Sequence, residues 1–434
     1  MPMQYEIAVV GAGMFGSAAA KYLSQRGAKV LIVGPAEPLG VGAAVNQQTF
    51  GAHFDEARIT RRIGWDPVWG TVDAQSLLRF QRMEAESEVG FFHERGSLIV
   101  MAKSIAGRTS AILAQSEKQA IPVELMSEGD LKGEFPDLCL PALCGGVEGL
   151  FERRMAGCLN PRQLVKAQLV LAQRAGATLE RAAVMGIAKD TGSNTWRLEL
   201  DFAGRQEVAR AARVVIATGA FTNHNNVLPS GCKLSMHAFT EPNLMFELSA
   251  RDLDRLASLP PIVTVDPADT GNDNMSIYLL PPVKYPDGKH YIRIGPGMQP
   301  FVKELHSAAE MTQWYARQEA TPCQAQFLNR MWQIMLPGLS PVSVRHACCI
   351  IEKTPSRYPF IGPVDEDESL IVAVGGNGHG ARGSDEIGRL AALVAAGERW
   401  DCPIDRAVFK PLLANGKPEG HSRPDFLKPP FGLC

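Results

Sequence analysis

No CxxC pair and no HExxH segment occurs in the 434 residues, although nine cysteines and nine histidines are present. A structural zinc site of ordinary spacing is therefore not expected. The cysteines (Cys139, Cys144, Cys158, Cys232, Cys323, Cys348, Cys349, Cys402 and Cys434) are odd in number and scattered, which reads as thiols and not as a disulfide framework. Only the adjacent pair Cys348–Cys349 stands apart. No apolar run approaches the ~20 residues that a membrane span requires. Neither sign of charge dominates, since the formal net charge is −2. The broad basic surface that nucleic acid demands is missing, and that partner is set aside. An apolar strand over Glu6–Val10 starts almost at the first residue and leaves no room for a secretory leader, so a cytosolic location is expected. There is no internal repeat and no low-complexity tract. The length exceeds what one simple core accommodates and fits two structural domains.

The opening supplies the first positive signal. Ile7-Ala8-Val9-Val10 is followed by Gly11-Ala12-Gly13-Met14-Phe15-Gly16, an Ala-rich stretch to Arg26 and a second apolar run, Ala28 to Val33. This is a strand, a glycine turn, a helix and a strand. Gly11 permits the turn, Gly13 lets the backbone approach a pyrophosphate, and Gly16 lets the helix pack closely on the strand. The helix N-terminus then receives the phosphate charge. The acidic residue that usually holds a ribose at the end of the second strand is absent, because that place reads Val33-Gly34-Pro35-Ala36-Glu37. Glu37 from the loop, or backbone groups, must serve instead. No basic residue stands at this strand end to favour a 2′-phosphate.

Further along, Val72 to Val89 and residues 160–175 are helix candidates, and Gly96 to Val100 is a strand. Ala212 to Ile216, running into Ala217-Thr218-Gly219, reads as a buried parallel strand. So does Leu370 to Val374, which enters a glycine loop at 375–380 and a helix over Ser384 to Ala396. Between these lie alternating strands, Tyr278-Leu279-Leu280 and His290 to Ile294, separated by Pro286-Asp287-Gly288. The pattern predicts an α/β chain: a discontinuous Rossmann-like nucleotide domain (1–82, 146–225 and 336–400) with an inserted β-rich α+β substrate domain (83–145 and 226–335). Residues 401–434 form a Pro- and Gly-rich tail.

Several ordered features resemble the monomeric sarcosine oxidase and N-methyltryptophan oxidase group of the D-amino-acid-oxidase-like FAD-dependent oxidoreductases. They are the glycine opening, Arg58-Ile59-Thr60-Arg61, Ala217-Thr218-Gly219, Cys349 five residues before Thr354-Pro355, and the loop Gly375-Gly376-Asn377-Gly378-His379-Gly380-Ala381-Arg382. The resemblance spans roughly residues 5 to 400 and implies FAD as the cofactor. It places Gly11, Gly13, Gly16, His53, Arg58, Thr218, Gly219, Gly376, Gly378, His379 and Gly380 against that cofactor. It also implies a covalent thioether at Cys349, which is chemically sensible because a thiolate attacks an electron-poor ring. Taken alone, Cys348 and Cys349 read equally as buried strand residues. The loop glycines would let backbone N–H groups approach the ring and stabilise the negative charge of the reduced flavin.

By the same resemblance Arg61 and Arg382 hold a substrate carboxylate, a task suited to the planar guanidinium. Tyr278 lines the site, and Lys289, eleven residues later, assists oxygen reduction as a nearby cation. Without that frame, Arg58, Arg61 and Arg62 also fit a solvated face, and Lys289 a hairpin turn, with Lys284 its rival. Where the family has a histidine, four residues beyond its lysine, this chain has Arg293. That departure argues against simple sarcosine specificity. The implied reaction oxidises the C–N bond of an amino acid or N-alkyl amino acid to an imine, with O2 reduced to H2O2. A flavin dehydrogenase using another acceptor, and a non-catalytic FAD-binding subunit, are the alternatives.

Overall fold

The computed structural model describes residues 3–37, 50–64, 66–143, 145–190, 192–266, 275–297 and 302–414. The first sheet runs in the order Ala183–Asp190, Thr195–Phe202, Arg205–Ile216, Met3–Val10, Val30–Val33 and Thr178–Glu180. Leu370–Val374 also pairs with Arg205–Ile216 and, on its other side, with Phe360–Pro363. The central pairings are parallel. A parallel centre buried on both faces explains why Ile7-Ala8-Val9-Val10 is continuously apolar. Ile7 and Val9 pack with Leu23, Leu390 and Ala391 on one side; Ala8 and Val10 pack with Leu198 and Val214 on the other. The helices Met14–Gln25, Pro161–Arg174 and Ser384–Ala396 cover the first of these faces.

The second sheet has nine strands and is largely antiparallel. Its order is Glu304–Leu305, His237–Glu247, His290–Pro296, Ile277–Lys284, Ile262–Val265, Ser97–Ala102, Val147–Glu152 and Glu124–Ser127, with Val344–Lys353 paired along the length of His237–Glu247. Leu244, Phe246, Ile292 and Ile294 point to one face and bury the helix Pro322–Met335, where Phe246 stacks on Trp332 at 4.3 Å between centroids. The opposite face carries the residues of the site. A three-stranded sheet of Arg58–Thr60, Gly157–Leu159 and Phe92–Glu94 completes the chain. The architecture is thus α/β, with a discontinuous Rossmann-like unit and a second, β-rich one.

Two details differ from the sequence expectation. The helix expected from Val72 starts at Pro67 and ends at Ser87, because Asp66 caps it by accepting from the N–H groups of Val68 (2.9 Å) and Trp69 (3.1 Å), with Pro67 at the first position. Val344–Lys353 belongs to the second sheet, so the chain returns to the nucleotide sheet only after Lys353 and not at residue 336. Cys144, Cys434 and the tail from residue 415 lie outside the described residues.

Candidate functional site

The turn after the first strand is built by its glycines. Gly11 has φ +107°, and a Cβ there would stand 2.3 Å from the carbonyl oxygen of Ala217. A Cβ on Gly16 would stand 1.8 Å from the oxygen of Gly11, so only glycine lets the helix Met14–Gln25 seat on the turn. Gly11 and Gly13 open into a cavity of about 1120 Å³; Gly16 lies behind them. The volume exceeds the ~300–1,000 Å³ usual for a small-molecule site, which suits a dinucleotide plus a second ligand. Thr218, Gly219, His53, Arg58, Cys349, Gly376, Gly378, His379 and Gly380 line the same cavity, as do Arg61, Arg382 and Tyr278.

His53 stands over the turn, with its Nδ1 3.7 Å from where a Gly13 Cβ would be. Its pKa is pushed down to about 3 by burial and by Arg162, Arg181 and Arg58, so it is neutral. Glu37 does not line the cavity. It accepts from Nε of Arg162 at 2.6 Å, while Val33, Gly34 and Pro35 form the wall.

The strand Val344–Lys353 resolves the cysteine pair by its alternation. Cys349 faces the cavity, 4.0 Å from Nη2 of Arg58. Cys348 turns into a cluster with Phe221, Trp314 and Tyr315, and burial pushes its thiol up to about 12. The pair thus has one exposed-edge thiol beside a cation and one inert thiol. Arg58 also donates to the oxygens of Ala52 (2.7 Å) and Ala57 (2.8 Å), and it pairs with Asp55. Asp55 is shared with Arg293, whose Nη2 donates to Ala57 O at 3.1 Å.

Lys289 is displaced from its expected place. The antiparallel hairpin brings Gly295, not Lys289, opposite Tyr278. Lys289 sits in the turn, 46% exposed, and its Nζ donates to Glu247 at 2.8 Å. It does not line the cavity; the buried Arg293 does. Arg62 likewise turns away, to Glu152 at 2.6 Å.

The glycine loop also works differently from expectation. The carboxylate of half-buried Glu352 accepts from the N–H groups of Gly375 and Gly376, both at 2.9 Å. The N–H groups of His379 and Gly380 go to Gly376 O at 2.8 Å. Buried backbone donors require partners, and here the protein itself supplies them. Asn377, at φ +53°, ties the loop to Thr354 by accepting from its N–H at 2.9 Å.

Arg382 is fixed from two sides. Its Nε lies 2.5 Å from Asp73, and its Nη2 donates to Nδ1 of His379 at 2.9 Å. His379 stacks on Trp69 at 5.1 Å and is neutral, its pKa lowered well below normal by burial and by Arg382, Lys353 and Arg61. Arg61, also buried, donates from Nε to Ile63 O at 3.1 Å. Asp55, Asp73, Glu241, Asn243 and Glu352 escaped the sequence reading. Glu241 and Asn243 carry a period-2 signal within an apolar run, but the others have no local signature. Among the described residues no cluster of His, Cys, Asp and Glu is placed to hold a metal, and no helix is long and apolar enough to cross a membrane.

A Rossmann-like turn opening into a large cavity, with buried arginines and a second sheet as its far wall, defines a nucleotide-dependent oxidoreductase. The chain belongs to the DAO family of FAD dependent oxidoreductases, whose family model matches residues 6–393. It is similar to the monomeric sarcosine oxidase of Streptomyces avermitilis, with 24% identity over 412 residues, covering 91% of this chain and 94% of that one. It is similar to the N-methyl-L-tryptophan oxidase of Yersinia pestis, with 23% identity over 94% of this chain and 98% of that one. Its fold matches that of NikD, an unusual amino acid oxidase of nikkomycin biosynthesis, with TM-score 0.73 and 21% identity over 95% of this chain and 98% of that one. The residues fit FAD: a glycine turn at a helix N-terminus, a cavity of sufficient size, and a thiol at its edge.

Proposed function

We propose that this flavoenzyme oxidises the C–N bond of an amino acid or N-alkyl amino acid to an imine, with O2 as electron acceptor and H2O2 as product. The observation that carries this reading is the presence of two buried arginines, Arg61 and Arg382, in the wall of the cavity that also holds the dinucleotide turn. Asp73 offsets part of their charge, and the planar guanidinium donors suit the two oxygens of a substrate carboxylate. Asp73 and His379 hold the plane of Arg382, so that little ordering remains for binding to impose. The cations Arg58, Arg61, Arg293 and Arg382 around the cavity disfavour an ammonium, which lets the substrate amine bind unprotonated. Tyr278 stays a neutral phenol, its pKa raised well above normal by burial and by Glu241. Bound FAD supplies the hydride acceptor; the protein supplies position and field. Cys349 holds the cofactor covalently in this reading, since it is the thiol of the adjacent pair that faces the cavity. Arg58 and Arg293 provide the positive field for oxygen reduction, although Asp55 offsets part of it. All seven described cysteines are free thiols, which suits the reducing cytosol.

Purified enzyme is mixed anaerobically with N-methyl, cyclic and unmodified amino acids while the flavin absorbance is followed, and then exposed to air. Bleaching followed by reoxidation with stoichiometric peroxide is expected. Bleaching without reoxidation would make it a dehydrogenase. No bleaching by any amine would remove the enzymatic reading of this site.

A further inference from the structure

Among the described residues, two buried polar atoms on the face of the second sheet that walls the cavity have no hydrogen-bond partner. They are Oδ1 of Asn243 and Nε of Arg293, on residues only 3% and 5% exposed. One accepts and the other donates. The register makes them diagonal neighbours: Met245 lies opposite Arg293, and by continuation Asn243 lies opposite Gly295. Such positions are about 7–8 Å apart, a gap that one planar group can bridge. The missing side chain of Gly295 lets the ring of Tyr278 pack over this stretch, since a Cβ there would meet the ring at 2.1 Å, so a group spanning Asn243 and Arg293 would lie along the Tyr278 phenol. Leu280 and Ile59 give this part of the cavity an apolar border. A buried group left unpaired is costly, so a donor and an acceptor orphaned side by side in a ligand cavity point to a ligand that completes them.

We propose that Asn243 and Arg293 form a side-chain subsite selecting amino acids whose side chain ends in a neutral group that both donates and accepts, a carboxamide above all. The carboxamide N–H donates to Oδ1 of Asn243, and its oxygen accepts from Nε–H of Arg293. This rests on the reading that Arg61 and Arg382 hold the substrate carboxylate, and it adds the identity of the side chain. A cationic side chain offers no acceptor to Nε–H of Arg293. An anionic one would find Arg293 already neutralised by Asp55. A purely aliphatic side chain would leave both orphans unmet. Glu241, two residues before Asn243 and on the same face, extends the polar strip towards Cys349.

The test compares isosteres in the FAD-loaded enzyme. Calorimetry measures the binding of succinamate against isocaproate, two carboxylates of matched shape that cannot be oxidised at a C–N bond. In parallel, kcat/KM is measured for glutamine and asparagine, free and N-methylated, against leucine and lysine. The amide ligands should be preferred by roughly 10–100-fold over the aliphatic ones, the scale of one unmet buried pair. Asn243→Leu should abolish the preference by weakening the amide ligands while sparing isocaproate, with the flavin spectrum unchanged. Equal binding of the two carboxylates by the wild type would overturn the proposal. So would an Asn243→Leu variant that shifts the flavin spectrum and weakens both carboxylates alike, because Asn243 would then serve the cofactor. Preferential binding of succinamate without oxidation of any amino acid would keep the subsite and remove the proposed reaction instead.

Discussion

The carboxylate of Asp73 lies 2.5 Å from Nε of Arg382, and both side chains are buried. Burial pushes the Asp73 carboxyl up to about 7, although Arg382 and Arg61 pull it down. Below that pH the acid is neutral and Arg382 is available to a ligand carboxylate; above it Asp73 competes for the same cation. Affinity for a carboxylate inhibitor should therefore fall as pH rises through about 7, and the step should vanish in Asp73→Asn. Stability follows the same sign. In the unfolded chain the acid ionises near ~4, so the folded state loses stability from there until Asp73 itself ionises near 7. Thermal melts across this window should be flatter for Asp73→Asn than for the wild type.

The thiol pair gives a second expectation. Cys349→Ser should release flavin on acid denaturation, whereas Cys348→Ser should retain it on the peptide. Intact mass and absorbance of the acid-treated protein read the outcome directly. Cys348→Ser should instead lower stability modestly, because its thiol packs among Phe221, Trp314 and Tyr315.

Lys289→Met should leave the rate of flavin reoxidation unchanged, since Lys289 is a turn residue paired with Glu247. Stopped-flow mixing of reduced enzyme with O2 measures this. A large fall in that rate would return Lys289 to the site and imply that the hairpin rearranges when the cofactor is bound.

Gly16→Ala places a methyl group 1.8 Å from the oxygen of Gly11, and the backbone must move to accept it. The variant should lose stability by about 1–3 kcal/mol and should purify with sub-stoichiometric flavin. Differential scanning calorimetry and the ratio of flavin to protein absorbance check both.

The nucleotide half was legible because local chemistry dictates it. Gly11-Ala12-Gly13 is a turn that few other sequences can make, and Ser384 to Ala396 is a helix by periodicity alone. The second sheet was harder to read. Pro242 argues against a strand, since proline cannot donate to a ladder. It is tolerated in His237–Glu247 because that strand pairs continuously with Val344–Lys353 on one side only. On the other side it meets Glu304–Leu305 at Ala238 and Phe239, and His290–Pro296 only from Leu244 onward. Glu241 and Asn243 therefore passed unnoticed. Lys289 was misplaced for a related reason: a fixed spacing from Tyr278 carries no information about where a hairpin turns. Asp55 and Asp73 are partners of residues distant in sequence or unremarkable in pattern, and only tertiary structure brings them to Arg293 and Arg382.

Val344–Lys353 has one consequence that reaches beyond chemistry. This strand is stitched into the second sheet along its length, yet Glu352 at its end grips Gly375 and Gly376 of the nucleotide half, and Lys353 donates to Asn377 O at 3.0 Å. If the cofactor is joined at Cys349 as proposed, a single rivet spans both halves of the molecule. The loaded protein is then expected to melt in one cooperative step, and the flavin-free protein to come apart in two, so that cofactor loading would act as the cell's quality check on whether the two halves have met correctly.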